Sequence, residues 1–324
     1  MPDLTKKDVK HLMLFAGRSH PALAAQIASL LGTEIVPARM VTYANSEIYV
    51  RFEESVRGCD AFVLQAHTAP VNDYLMEQLV MVDALRRASA RRITVVTPFY
   101  PYARQDKKHA GREPISARLV ADMFRVAGAT RIMTVDLHAD QIQGFFDGPV
   151  DHLYGMPLLA DYVHAKYSQE DLVVVSPDAG RVRTADKWSD RLGCPLAIIH
   201  KRRDPDVANT VAVHEVVGDI EGKTCLLVDD MIDTAGTICL AAEALKVKGA
   251  GKVIAATTHA VLSGPAAERL NRSAFEEVIV TNTLPIDPRV EIDKLTVLSI
   301  APLLAKAIRA VFDDGSVAAL MNEQ

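Results

Sequence analysis

The sequence predicts an α/β protein of two similar domains, each a mainly parallel sheet flanked by helices. Short runs rich in Val, Ile and Leu alternate with longer amphipathic stretches along the whole chain, the pattern of strands buried on both faces by crossover helices. The length of 324 residues suits about two domains at roughly 150 residues each. The halves also echo one another: RRASARR leads into ITVVTPFY, and KVKGAGK leads into VIAATTHA, each reading as helix end, turn and a strand ending in Thr. Gly and Pro cluster near 151–157, which places the boundary between domains at 1–155 and 156–324.

The elements follow in order. Strands are expected at Leu12–Ala16, Ala61–Gln65, Ile93–Thr97 and Ile132–Asp136 in the first half. The second half offers Leu172–Ser176, Leu196–His200, Thr224–Asp229, Lys252–Thr257, Val278–Thr281 and Leu295–Ser299. Helices are expected at Val71–Ala88, where Leu75, Leu79 and Val82 share a face, and at Ser116–Ala127 and Thr237–Lys248. Composition excludes several classes of protein. With 49% apolar and 24% charged residues the chain buries a full core and is neither disordered nor collagenous. A net charge of −5 offers no broad basic surface for nucleic acid or an anionic membrane, so any phosphate chemistry must come from a local pocket. No apolar run approaches the roughly 18 residues of a membrane span, and Met1–Lys10 lacks a secretory apolar segment. Cys59, Cys194, Cys225 and Cys239 form no CxxC pair, which fits buried free thiols in a reducing cytoplasm.

In parallel sheets ligands sit beyond the carboxyl ends of strands, so the residues just after each strand are the functional candidates. The most informative is LLVDDMIDTAGT, 226–237: an apolar strand, two acids, a small Thr/Gly loop and a helix start. Backbone N–H groups and the hydroxyls of Thr234 and Thr237 offer a cradle for a phosphate dianion. Asp229 and Asp230 would repel a phosphate but suit vicinal sugar hydroxyls, which donate to carboxylates. The lesser alternative is a capped helix N-terminus, with Asp233 or Thr234 as the N-cap. Asp136-Leu137-His138 ends another strand, and at period two its polar side chains would point the same way, either as metal ligands or as a structural hydrogen-bonded pair. Ser176-Pro177-Asp178 supplies one more acid, and Lys201-Arg202-Arg203 supplies three cations that form either an anion site or a solvated face. Arg104, after the aromatic PFYPY run, could meet phosphate or stack on a purine, or simply cover Tyr rings.

Several of these segments together resemble the ribose-phosphate diphosphokinase family, also called phosphoribosyl pyrophosphate synthetases. They are the 226–237 string, VDLHADQIQGFF at 135–146, and YARQDKK at 102–108 followed by REPI at 112–115. The likeness runs from about Leu12 to Ser316. It implies two phosphoribosyltransferase-like domains, ATP at the first and ribose 5-phosphate at the second, with Mg²⁺ as cofactor. The implied reaction moves the diphosphoryl group of ATP to the C1 hydroxyl, giving 5-phosphoribosyl 1-diphosphate and AMP for nucleotide biosynthesis. It implies that Lys201 and Arg203 are catalytic, that Asn45, Ser46, Glu47, Arg104 and Gln105 bind ATP, and that His138, Asp178 and Asp136 serve the metal. Arg203, Asp229, Asp230, Asp233, Thr234, Ala235, Gly236 and Thr237 would bind ribose 5-phosphate. It further implies a cytoplasmic homohexamer whose 45–47 hairpin reaches a neighbouring subunit's adenine, and residues 105–113 could close over the site. Two positions depart from the pattern, Arg181 and Ala235 standing where Gly is frequent; alanine costs little if its φ stays negative. A phosphoribosyltransferase, which consumes the diphosphorylated sugar, and a non-catalytic regulatory paralogue are the alternatives.

Overall fold

The computed structural model describes residues 10–202 and 213–322. The chain forms two compact units, Met1–Leu153 with Ala301–Gln324, and Tyr154–Ile300.

The first unit contains β1 (Leu12–Ala16), α1 (Pro21–Leu31), β2 (Ala38–Thr42), β3 (Ile48–Phe52), β4 (Asp60–Leu64), α2 (Val71–Arg87), β5 (Arg92–Val96), α3 (Ser116–Ala127), β6 (Arg131–Val135) and β7 (Val150–Leu153). Its sheet is parallel in the order β1-β4-β5-β6-β7, and β2 and β3 form a separate antiparallel hairpin. Alternate strand residues such as Phe15, Val63, Val95 and Ile132 enter one core with Val82, Leu85, Val120 and Phe124 from α2 and α3. The turn after β1 needs glycine: a Cβ on Gly17 would lie 2.4 Å from the Gln65 side chain.

The second unit contains α4 (Met156–Tyr167), β8 (Leu172–Ser176), α5 (Val182–Leu192), β9 (Leu196–Arg202), β10 (Val213–Val217), β11 (Thr224–Ile232), α6 (Gly236–Val247), β12 (Lys252–Ala260), α7 (Ala266–Arg272), β13 (Glu277–Thr281) and β14 (Leu295–Leu298). Its seven strands run in the order β10-β9-β8-β11-β12-β13-β14, all parallel except β10 against β9. Both units are thus helix-flanked parallel sheets, as the alternation predicts, but their strand orders differ. The second reverses direction: the chain leaves β8 for β9 and β10, then returns to place β11 on the other side of β8.

The C-terminal helices α8 (Ala301–Phe312) and α9 (Val317–Asn322) fall in the first unit rather than with 156–300, where the sequence division at 155 puts them. The cause is an apolar stripe. Leu303, Leu304, Ala307 and Ile308 are buried where α8 packs against α1, Arg309 Nη2 donates to the Leu31 carbonyl at 2.7 Å, and Lys10 Nζ donates to the Phe312 carbonyl at 3.0 Å. The four cysteines are free, and burial pushes the Cys59 and Cys225 thiols up to about 11, so neither is a nucleophile near neutral pH. Among the described residues no helix is long and apolar enough to cross a membrane.

Candidate active site

A reversal of strand order opens a crevice at the strands' carboxyl ends, and in the second unit it lies between β8 and β11. β11 pairs with β8 only from Thr224 to Leu227 but follows β12 on to Ile232, so Asp229 and Asp230 stand beyond the last rung shared with β8. The turn after β8 faces this open edge. There Asp178 is the N-cap: its Oδ1 accepts from the N–H groups of Gly180 (2.8 Å) and Arg181 (3.1 Å), while Ser176 Oγ donates to its carbonyl. The Arg181 guanidinium then reaches both strand acids, with Nε 3.1 Å from Asp229 Oδ1 and Nη2 2.7 Å from Asp230 Oδ1. Burial, and then the adjacent Asp230 charge, push the Asp229 carboxyl up, and Arg181 offsets part of that. Asp229 Oδ1 also accepts the Asp230 N–H at 2.8 Å.

The loop after β11 presents Thr234 and Thr237 at the surface, with Ala235 buried between them. Neither Asp233 nor Thr234 is the N-cap of α6. That position is Ala235, which has no side-chain acceptor, and the first turn carries no acid. The helix N-terminus therefore presents its dipole to an incoming anion. Ala235 has φ 59°, so the negative φ expected of an alanine here is not what the fold adopts. Its methyl is 4% exposed within the core of α6 and β11, and that burial offsets the left-handed backbone. Arg269 Nη1 donates to the Thr234 carbonyl at 2.9 Å and would lie 3.1 Å from a Cβ at position 236, so Gly236 makes room for the arginine that braces the loop.

Lys201 stands on β9 opposite His214 of β10, at the same carboxyl edge of the sheet as β8 and β11. Arg203 lies outside the described residues.

In the first unit, Arg104 and Gln105 follow β5, and Asp136 and His138 follow β6, its neighbour in the sheet. The structure brings these loops together, because Gln141 Nε2 donates to Asp106 Oδ2 and Asp106 is buried. Gln105 is pinned by Ser116, whose Oγ donates to its Oε1 at 2.6 Å. β6 ends at Val135 and Asp136 takes φ 37°, so the strand alternation that predicts parallel Asp136 and His138 side chains does not reach them. Instead the Leu137 N–H donates to His152 Nε2 at 2.9 Å, which closes the turn. Asn45, Ser46 and Glu47 form the exposed tip of the β2–β3 hairpin, where Asn45 Oδ1 accepts the Glu47 N–H. Ser46 lines a cavity with Arg18, Thr42, Asp73 and Glu77. Five of the eight non-glycine residues with positive φ among the described residues lie in these candidate loops, Ser46, Tyr102, Arg112, Asp136 and Ala235; the others are Ser89, Leu262 and Asp314. Arg181, Arg269 and the Asp106–Gln141 tie were missed as site elements. Only for Arg181 was there a sequence signal, a cation in place of a small residue.

Magnesium is commonly met by one or two carboxylates plus substrate phosphates rather than by a protein cage. Asp178 Oδ1 accepts two backbone N–H groups of its own turn, and among the described residues no three His, Cys, Asp or Glu side chains gather as a ready-made metal cluster.

A sheet that reverses order beside an acid pair and an uncapped helix N-terminus defines an α/β protein of the kind that binds its ligand across strand ends. Residues 12–128 match the N-terminal domain of ribose phosphate pyrophosphokinase, and residues 207–322 match the phosphoribosyl synthetase-associated domain. The ribose-phosphate pyrophosphokinase of Streptomyces coelicolor is 65% identical over 315 residues, 97% of each chain. That of Mycobacterium tuberculosis is 63% identical over 314 residues, 97% of this chain and 96% of the relative. The crystal structure of phosphoribosylpyrophosphate synthetase from Mycobacterium smegmatis superposes with a TM-score of 0.90 at 61% identity, covering 94% of this chain and all of that one. The chain belongs to the ribose-phosphate pyrophosphokinase family.

Proposed function

We propose that the protein transfers the diphosphoryl group of ATP to the C1 hydroxyl of ribose 5-phosphate. The C1 oxygen attacks the β-phosphorus in line, the bond between the β-phosphorus and the bridging oxygen breaks, AMP leaves with the electron pair, and the hydroxyl proton passes to solvent. The observation that carries this reading is the juxtaposition at the end of β11 of an acid pair held by Arg181 and the uncapped start of α6. One recognises vicinal hydroxyls and the other a phosphate, and a phosphorylated pentose carries both.

In the second unit Asp229 and Asp230 accept from the ring hydroxyls. Asp233, Thr234, Ala235, Gly236 and Thr237 hold the 5-phosphate through N–H groups and hydroxyls. Phosphoryl chemistry of this kind depends on positioning and charge stabilisation, which assigns Lys201 and Arg203 to neutralising charge on the transferred group and the departing phosphate. In the first unit Arg104 and Gln105 bind the nucleotide. Asp136 and His138 there are proposed ligands of Mg²⁺, which when bound supplies charge neutralisation on the nucleotide phosphates; Asp178 of the second unit is proposed as a further, separate magnesium position. By family likeness the protein is read as a cytoplasmic homohexamer, in which the exposed hairpin tip would meet another copy. The Tyr43 and Tyr49 rings lie 6.3 Å apart with planes tilted by 50° and are 50% and 38% exposed, an aromatic patch suited to a partner's adenine beside Asn45, Ser46 and Glu47.

The test is direct: mix the protein with Mg-ATP and ribose 5-phosphate and measure AMP. Formation of AMP that depends on the sugar is the expected result. Silence with ATP but turnover of the diphosphorylated sugar with a nucleobase would replace the reading by a phosphoribosyltransferase.

A further inference from the structure

Two adjacent carboxylates on one strand are a poor ligand unless something holds them. Asp230 has a side chain 8% exposed and Asp229 one 26% exposed, so their repulsion is weakly screened by water. Left alone such a pair either shares a proton, turning one acceptor into a donor, or recruits a cation. Here the cation is part of the chain. Arg181 is itself largely buried, at 19% side-chain exposure, and its planar guanidinium divides its donors between the acids, Nε to Asp229 and Nη2 to Asp230. Its backbone is equally fixed. Asp178 takes the Arg181 N–H as well as that of Gly180, and α5 begins at the next residue, Val182. The arginine is therefore anchored at both ends, across the open edge where β11 outruns β8.

We propose that Arg181 is a positioning residue: a built-in cation that holds Asp229 and Asp230 as oriented acceptors for the pentose hydroxyls, so that ribose 5-phosphate binds this pair without a divalent ion. The proposal rests on the assignment of the two acids to ribose 5-phosphate. It gives Arg181 no contact with the reacting atoms, and it separates the metal requirement of the nucleotide from that of the sugar. A lysine would not serve equally, since its single ammonium cannot present the same fork to both acids.

The experiment is calorimetric titration of the full chain with ribose 5-phosphate in the absence of nucleotide, once in EDTA and once in Mg²⁺, for wild type, Arg181→Gln, Arg181→Lys and Asp229→Asn. Wild type is expected to give the same Kd in both buffers. Arg181→Gln is expected to weaken the Kd about ten-fold or more in EDTA, a loss on the scale of one oriented charge pair, with Mg²⁺ recovering part of it. Under turnover the same variant should raise KM for ribose 5-phosphate more than it lowers kcat, the signature of a group that organises binding. A wild-type Kd that collapses in EDTA, or an Arg181→Gln Kd equal to wild type there, overturns the proposal. Asp229→Asn separates the two readings. If it weakens ribose 5-phosphate binding while Arg181→Gln does not, the positioning role fails and the sugar assignment stands; if it also leaves the Kd unmoved, the sugar assignment itself fails. Should Arg181→Gln not fold, Arg181→Lys decides: a Kd several-fold weaker in EDTA supports the fork, and an unchanged Kd refutes it.

Discussion

Replacing Asp229 by asparagine should make the protein more stable at pH 8 while weakening its hold on the sugar. The carboxyl is pushed from 3.8 to about 8 by burial and by Asp230, with Arg181 recovering part of the loss. A carboxylate raised in this way keeps in the folded state a proton that the unfolded chain has already released. Its contribution to stability is therefore present below about pH 4 and drains away as pH rises to about 8. At ~1.4 kcal/mol per pKa unit the full displacement sets a ceiling on the order of 5 kcal/mol. A side chain 26% exposed and facing the Arg181 guanidinium realises less, and about 2 kcal/mol is the working figure. Asparagine matches the shape and cannot ionise, so its advantage over wild type should be near zero at pH 4 and about 2 kcal/mol at pH 8, a rise of roughly 4–8 °C in Tm. Thermal unfolding at pH 4.5, 6 and 8 on the ligand-free chain, at one protein concentration, reads this as the gap between variant and wild type. Groups far from the pair cancel in the difference, while Asp230, freed of its charged neighbour in the variant, adds to the same trend. A gap that does not widen with pH, or a wild type that is the more stable at pH 8, would refute the reasoning.

Three further outcomes follow from the same structure. Ala235→Gly should leave stability within about 1 kcal/mol, because relief of the left-handed backbone (~1–2) is offset by a lost buried methyl (~0.8) and greater chain entropy; Ala235→Val, branched at Cβ in the same region, should lower Tm and abolish ribose 5-phosphate binding by calorimetry. Glu277 is buried and accepts from Tyr162 (2.8 Å), Tyr167 (2.5 Å), Lys166 (2.9 Å) and Thr296 (2.5 Å), and these bonds, against its burial, hold its carboxyl below the usual range. Glu277→Ala should cost about 2–3 kcal/mol at neutral pH in urea unfolding, a difference that shrinks as acid protonates the wild-type carboxylate, with kcat and KM unchanged in the folded enzyme. Lys201→Ala should lower kcat by about 10²-fold in the AMP-release assay, the scale of one lost electrostatic stabiliser, and normal turnover would remove the residue from the catalytic set.

What could be read from the chain was local. Short apolar runs locate β1, β8 and β14 to within a residue or so, because a strand's burial is written in the residues that form it. The string from Leu226 to Thr237 announced its chemistry because strand, acids, loop and helix start are contiguous there. The missed features are those joining distant segments. Nothing near Arg181 says that its guanidinium will meet two acids 48 and 49 residues further on; that follows from β11 returning beside β8, a choice of strand order that periodicity does not encode. Ala235 shows the same limit at one residue, since its positive φ is offset by the burial of its methyl in a core assembled from other elements. The helices from Ala301 onward lie in the first unit because the apolar stripe of α8 matches that of α1, a complementarity between segments nearly the whole chain apart. Composition and spacing state which groups are present and how each short segment folds. Which groups meet, and at what charge, is settled by packing between surfaces that no short window of sequence contains.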